Sequence, residues 1–218
     1  MKKYKILNLY ACLGGNRYKW DEVANIEVTA VELDPEAARL YQERFANDIV
    51  IVADAHQYLL DHYKEFDFIW SSPPCPTHSR FNFSMKNNWK MKYPDMSLYQ
   101  EIIFLQIWFN GKFCVENVIP YYEPLIAANK RGRHLYWTNF NLPNDLKERK
   151  NPELSRGTSD EIVSRLIDYH DYDFRKYKGK QDVRKMARNL VDYEAGKTIL
   201  ETALGIIVKS NTKQTELF

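Results

Sequence analysis

The sequence predicts an α/β fold: a mostly parallel sheet with helices on both faces and a small C-terminal extension. Two observations carry this. Short runs rich in β-branched and aromatic residues alternate with segments of helical period as far as residue 140, and such alternation builds parallel sheets covered on both sides. One run, in Phe66 to Ser79 (FDFIWSSPPCPTHS), is closed by two prolines that forbid its continuation and fix a turn. Cys75 is left at the strand's end, where open α/β sheets hold ligands and chemistry. It is a candidate nucleophile.

Tyr4 to Tyr10 reads as the first strand, and Ala11-Cys12-Leu13-Gly14-Gly15 as a turn whose small residues let the backbone approach a ligand. A second strand, Glu27 to Val31, ends in Glu32-Leu33-Asp34. An acid at this remove from a glycine turn is placed to hold the ribose hydroxyls of a nucleotide-like cofactor; alternatively, the acids and Pro35 simply open the next helix. That helix, about Pro35 to Phe45, has Ala38, Tyr41 and Phe45 on one face and Glu36, Arg39 and Glu43 outside it. Ile49 to Val52 is a third strand ending at Ala53-Asp54-Ala55, which sets another acid at a strand tip. His56 to Lys64 is a short helix leading into the Cys75 strand.

Beyond Ser79 the periodicity is lost. Arg80 to Pro94 mixes Arg80, Lys86, Lys90 and Lys92 with Phe81, Phe83, Trp89 and Tyr93. It reads either as a loop that grips phosphates and stacks on bases while closing over a substrate, or as a surface loop whose aromatics cap the core. A helix follows from Asp95 or Ser97 to about Phe109, with Leu98, Ile102, Leu105 and Phe109 at helical spacing. Phe113-Cys114-Val115 is a strand closing on Glu116-Asn117-Val118. Arg131 and Arg133, separated by Gly132, project to one side of an extended chain or form an exposed charged turn, ahead of a strand over His134 to Phe140. Asn141 to Ser155 is loop-like, Thr158-Ser159-Asp160-Glu161 looks like a capped helix start, and His170 to Arg188 is crowded with charge. A helix from about Glu194 to Leu204 precedes a tail, 210–218, expected to be frayed.

The bulk numbers set bounds. With 218 residues, 44% hydrophobic and 28% charged, the chain can bury one sizeable core and resembles an ordinary globular domain. No apolar run approaches the ~20 residues of a membrane span, and Met1-Lys2-Lys3 leads straight into a strand, so a cytoplasmic protein is expected. The three cysteines, Cys12, Cys75 and Cys114, are scattered and odd in number, which argues against a disulfide framework and against a zinc site. A net charge of +2 permits a nucleic-acid partner without announcing one.

The order of these motifs is more specific than any one of them. Asn8-Leu9-Tyr10-Ala11-Cys12-Leu13-Gly14-Gly15, Glu32, Asp54, Pro73-Pro74-Cys75, Glu116-Asn117-Val118, Arg131-Gly132-Arg133 and Asn189 together resemble the motif series of DNA cytosine-5 methyltransferases, over most of the chain. The resemblance implies a class I, Rossmann-like fold and S-adenosylmethionine as cofactor. It matches Tyr10, Ala11, Leu13, Gly14 and Gly15 to the cofactor loop, Glu32 to the ribose ligand with Leu33 beside the adenine, and Asp54 with Ala55 to the adenine edge. Pro74 would also touch the cofactor, and Asn189 with Leu190 would complete its pocket. Cys75 matches the nucleophile, Glu116 the acid on the base edge, and Arg133 the arginine supporting the pyrimidine, with Arg131 near it.

The chemistry this implies needs those residue types. Cytosine C5 is a poor nucleophile until a thiolate adds to C6, so Cys75 is expected in a pocket that favours its ionised form. Glu116 would bond to N3 and the exocyclic amine, and Arg133 to O2. A stacked base is unreachable, so the target must be flipped out. The implied organisation is a catalytic core over 1–140, a reduced target-recognition region over 141–185, a segment returning to the core over 186–209, and the tail. Departures from the family are Pro76, His78, Cys12 and Arg188. Either target recognition is minimal, or the Phe81 to Pro94 loop and a partner chain or second copy share it. Three alternatives are RNA as substrate, a catalytically silent S-adenosylmethionine-binding subunit, and an amino-methyltransferase, whose motif wants an aromatic where Cys75 stands.

Overall fold

The first strand, β1 (Tyr4–Leu9), lies inside the sheet, paired in parallel on both sides. The structure is a computed structural model that describes residues 2–86, 90–147, 149–150, 152 and 156–206; the tail expected over 210–218 lies outside the described residues. With β2 (Ile26–Glu32), β3 (Ile49–Val52), β4 (Phe68–Ser71), β5 (Lys112–Val118), β6 (Asn129–Arg131) and β7 (His134–Thr138), it forms a seven-stranded sheet in the order β3-β2-β1-β4-β5-β7-β6. β1 to β5 pair in parallel, and β7 runs antiparallel to both β5 and β6. This is the mostly parallel sheet that the alternation of strands and helices predicts.

Strand alternation sorts side chains onto two faces. Leu7, Leu9, Ile69, Phe113 and Val115 meet α2 (Ala55–His62) and α4 (Ser97–Trp108) on one. Ile6, Phe68, Trp70 and Cys114 meet Trp20 and α7 (Tyr193–Ala203) on the other. A third cluster joins Leu13 and α1 (Pro35–Arg44) to α5 (Ser159–His170), Phe174 and α6 (Val183–Arg188). The boundary expected between residues 185 and 186 therefore falls inside α6, a single helix that packs on the α1 side of the core. No helix among the described residues is long and apolar enough to cross a membrane.

Local chemistry explains the element ends. Asp34 caps α1, accepting from the backbone N–H groups of Glu36 (2.9 Å) and Ala37 (3.4 Å), with Pro35 in the first turn. Glu32 is not part of that cap; its carboxylate turns back to the Cys12 N–H at 2.8 Å. Thr158 and Glu161 form a full capping box at α5. Where the sequence shows no period, Ser79 caps a short helix, α3 (Arg80–Ser84). Buried Asn82 closes the segment beyond it, donating to the carbonyls of Thr77 and Lys92 and accepting from the Lys92 N–H. Phe81 and Tyr93 are exposed rather than capping the core.

The turn after β1 carries strain. Tyr10 (φ 55°) and Cys12 (φ 47°) occupy the left-handed region alongside Gly14 (φ 68°). A Cβ on Gly14 would lie 2.3 Å from the Phe45 ring, so only glycine fits there. Cys12 tolerates a conformation that a β-branched residue would resist. Cys12→Val is expected to destabilise the fold by about 1–2 kcal/mol, whereas Cys12→Gly changes stability by less than about 1 kcal/mol, since relief of φ offsets added unfolded-state freedom. Urea unfolding midpoints check this; equal midpoints for the two variants would contradict it.

Candidate active site

β4 delivers Cys75 into a turn that its neighbours hold firmly. Pro73 and Pro74 stop the strand, and the next residues close one helical turn, the His78 and Ser79 N–H groups donating to the Cys75 carbonyl at 3.0 and 3.1 Å. Buried Asn117, on β5, donates its side-chain amide to the Pro73 carbonyl at 2.9 Å. The Tyr121 N–H donates to the His78 carbonyl, and Ser79 bridges to Pro120. His78 is buried and hydrogen-bonded to the Tyr122 hydroxyl; burial holds its pKa below the ordinary imidazole value. The His78 side chain thus anchors this turn, and the Pro76 carbonyl accepts from the Ser79 hydroxyl.

Glu116 lies within β5 rather than past its end, opposite Tyr136 in the antiparallel register, and is 7% exposed. Burial, and secondly the Glu116 carboxylate, push the Cys75 thiol up to about 11, while the Lys185 cation on α6 pulls it down. The expected thiolate-favouring pocket is therefore not what the site provides: a half-buried sulfur beside a carboxylate keeps its proton. The His134 imidazole stands 3.7 Å from Glu116 Oε1.

The two arginines do not share a side. Gly132, with φ 52°, makes a two-residue turn between β6 and β7, so the chain is not extended there. Arg131 donates to the carbonyls of Pro143 (2.7 Å), Lys130 (2.9 Å) and Leu142 (3.3 Å), which commits it to bracing that hairpin. Arg133 sits exposed in the turn.

The tips of β1, β2 and β3 form the second half of the site. Glu32 accepts from the Cys12 N–H (2.8 Å) and the Asp34 N–H (2.9 Å), and its burial raises its pKa. Burial, then Glu32, pushes the Cys12 thiol up to about 12, which leaves it inert. Leu33 is exposed beside them. Asp54 caps α2 through Oδ1, just before Ala55. Gly15 lets the late segment approach: a Cβ there would lie 2.6 Å from the Val191 carbonyl and 3.0 Å from Leu190 Cβ, immediately after exposed Asn189. A carboxylate, an exposed apolar side chain and a second carboxylate on consecutive strand tips suit the ribose and adenine of a nucleoside cofactor.

A cavity of about 630 Å³ adjoins the Cys75 turn, lined by Arg80, Pro120, Tyr121, Tyr122 and Lys130 among others. The Tyr121 ring stacks on Phe83 of α3 (5.3 Å, 22°). Asn117, His134 and Lys185 escaped notice as site residues. The first lay in a noted motif, the second is visible as a strand residue sharing Glu116's alternation, and the third reaches Cys75 only through the fold.

A family model described as C-5 cytosine-specific DNA methylase matches residues 4–118. That span runs from the first residue of β1 to the last of β5; it includes Cys75 and Glu116 and stops short of Arg131, Arg133 and Asn189. Among solved structures, the methyltransferase EhMeth of Entamoeba histolytica is similar in fold, with TM-score 0.50 and 11% identity over 94% of this chain and 99% of that one. A mutant DNMT2 of Spodoptera frugiperda is 25% identical over 53% of this chain, with TM-score 0.39, and this chain covers only 35% of it. None of the curated proteins matches the chain.

The Cys75–Glu116 pair has a titration signature. Thiolate is the form that alkylates, so Glu116→Gln, which removes the neighbouring negative charge at constant volume, is expected to lower the pH midpoint of Cys75 alkylation by about one unit. Peptide mass spectrometry after iodoacetamide treatment reads this, and an unchanged midpoint would contradict it.

Proposed function

The chain belongs to the C-5 cytosine-specific DNA methylase family, and from that premise we propose that it methylates C5 of a cytosine flipped out of DNA, through a transient bond between Cys75 Sγ and C6. S-adenosylmethionine is the methyl donor; when bound it supplies an electrophilic methyl group on a sulfonium. The observation that carries the reading is the placement of Cys75, in the turn after β4, beside Glu116 of the neighbouring strand β5, near enough for the carboxylate to raise the thiol's pKa.

That rise gives the reaction an order of events. Before a base enters, Cys75 holds its proton and is protected from side reactions. When cytosine sits against Glu116, the thiol proton passes to the Glu116–N3 pair; the carboxyl then donates to N3, and the charge that opposed thiolate formation is gone. The sulfur lone pair adds to C6 and the ring's electrons move toward C5, which becomes the nucleophile. After C5 has gained its methyl, loss of the C5 proton to solvent restores the double bond and expels the sulfur as thiolate, and the N3 proton returns through Glu116 to that thiolate, which restores the resting thiol and carboxylate. Arg133, in the β6–β7 turn, supports O2 of the ring, while Arg131 holds that turn to residues 142 and 143.

Glu32 holds the ribose hydroxyls, Leu33 and Pro74 flank the bound nucleoside, and Asp54 with Ala55 reads the adenine edge. The Tyr10–Gly15 turn, backed by Asn189 and Leu190, encloses the rest. The cavity bounded by Arg80 and Lys130 takes the strand beside the extruded base, the cations on phosphate and Tyr121 against a neighbouring base. Exposed Phe81 and Tyr93 extend this aromatic surface.

The test is transfer of labelled methyl to DNA and, in parallel, to RNA of matched sequence. Transfer to C5 of DNA is expected, with Cys75→Ala reducing it at least ~1,000-fold while S-adenosylmethionine affinity stays within about twofold. Full activity of the alanine variant would overturn the mechanism, and transfer to RNA alone would overturn the substrate.

A further inference from the structure

Glu101 is wholly buried in α4, on the same face as Leu98, Ile102 and Leu105. A carboxylate among apolar side chains is costly unless its lone pairs are satisfied. Here they are, by groups from the ends of β1 and β4 and from the first turn of α2. Oε1 accepts from the Tyr10 hydroxyl at 2.5 Å and stands 3.0 Å from His56 Nδ1, while Oε2 accepts from the Ser71 hydroxyl at 2.7 Å. Tyr10 is the first residue after β1, Ser71 is the last of β4, and His56 lies two residues beyond Asp54.

The electrostatics are consistent with a fixed anchor. Burial, then Glu101, drives the Tyr10 hydroxyl far above its ordinary range, so it remains a donor. The hydrogen bond to Glu101 raises His56 against the opposing effect of burial, with Asp54 and Asp95 adding to the rise. Tyr10 is also held in a left-handed backbone conformation, φ 55°, which a residue adopts only when its surroundings impose it.

We infer that Glu101 is a positioning residue for the methyl donor: through the Tyr10 hydroxyl it fixes the turn after β1 in the shape that receives S-adenosylmethionine. This rests on the placement of the cofactor at that turn. Glu101 touches neither cofactor nor base; its effect passes through Tyr10, and the same carboxylate ties that turn to the end of the strand carrying Cys75.

Glu101→Gln, Tyr10→Phe and the double variant test it, with S-adenosylmethionine affinity measured by calorimetry and steady-state kinetics run on DNA. Each single variant is expected to weaken the cofactor about tenfold, and the double variant no more than about twofold further, because both remove one interaction. The KM for S-adenosylmethionine rises while kcat stays within about threefold. Tyr10→Phe keeps the ring and removes only the hydroxyl, so it remains informative if Glu101→Gln fails to fold. Unchanged affinity in Tyr10→Phe, or losses that multiply to about a hundredfold in the double variant, would overturn the inference. Glu32→Gln separates the two layers: if it also leaves affinity unchanged, the placement of the cofactor fails, whereas its weakening beside a neutral Tyr10→Phe sinks the Glu101 role alone.

Discussion

One buried hydrogen bond, from the Asn117 amide to the Pro73 carbonyl, sets the geometry on which the site depends. Parallel pairing of Ser71 with Val115 brings the ends of β4 and β5 to one edge of the sheet. Pairing alone does not say where the chain goes once two prolines have ended β4. The Asn117 side chain, anchored by its own Oδ1 to the Val118 N–H, pins the departing chain to β5. Glu116, one residue earlier and pointing to the opposite face, is then held near the sulfur. One dipeptide supplies both the group that acts on the thiol and the group that keeps the thiol in place.

The same economy appears at the tips of β1 and β2. Glu32 is free of the helix cap because Asp34 performs that task, and it accepts the Cys12 N–H from the turn after β1, in which Tyr10 and Cys12 both adopt positive φ. Cys12 and Cys75 are both raised thiols, yet their surroundings differ. Cys12 faces the Glu32 carboxylate, itself held by two backbone N–H groups, whereas Cys75 is raised by burial and by Glu116 and lowered by Lys185.

Much of this was legible in the sequence because periodicity and turn chemistry are local. The strands from β1 to β5, the amphipathic α1, the α5 capping box and the proline stop before Cys75 all follow from residues a few positions apart. Glu101 was passed over because helical spacing was read from the apolar residues, and an acid in their stripe draws no notice until its donors arrive from three other elements. Of the two readings open for Arg131-Gly132-Arg133, the turn is the one the chain adopts, because Gly132 takes a positive φ. α3 spans too few residues to show a period. The thiol's pKa could not be anticipated, since it depends on burial and on a carboxylate 41 positions away in the chain. The family motifs named the participants; the fold adds the burial and the neighbouring carboxylate that raise the Cys75 thiol.

The most direct measurement uses duplex DNA carrying 5-fluorocytosine at a site the protein methylates, incubated with S-adenosylmethionine, digested and mapped by mass spectrometry. Fluorine cannot leave C5 as a proton does, so the sulfur is not expelled and the covalent stage is trapped. The account predicts a denaturant-resistant adduct on the peptide that contains Cys75, absent from Cys75→Ala. Methylation of ordinary cytosine without any such adduct, or an adduct on Cys12 or Cys114, would contradict it.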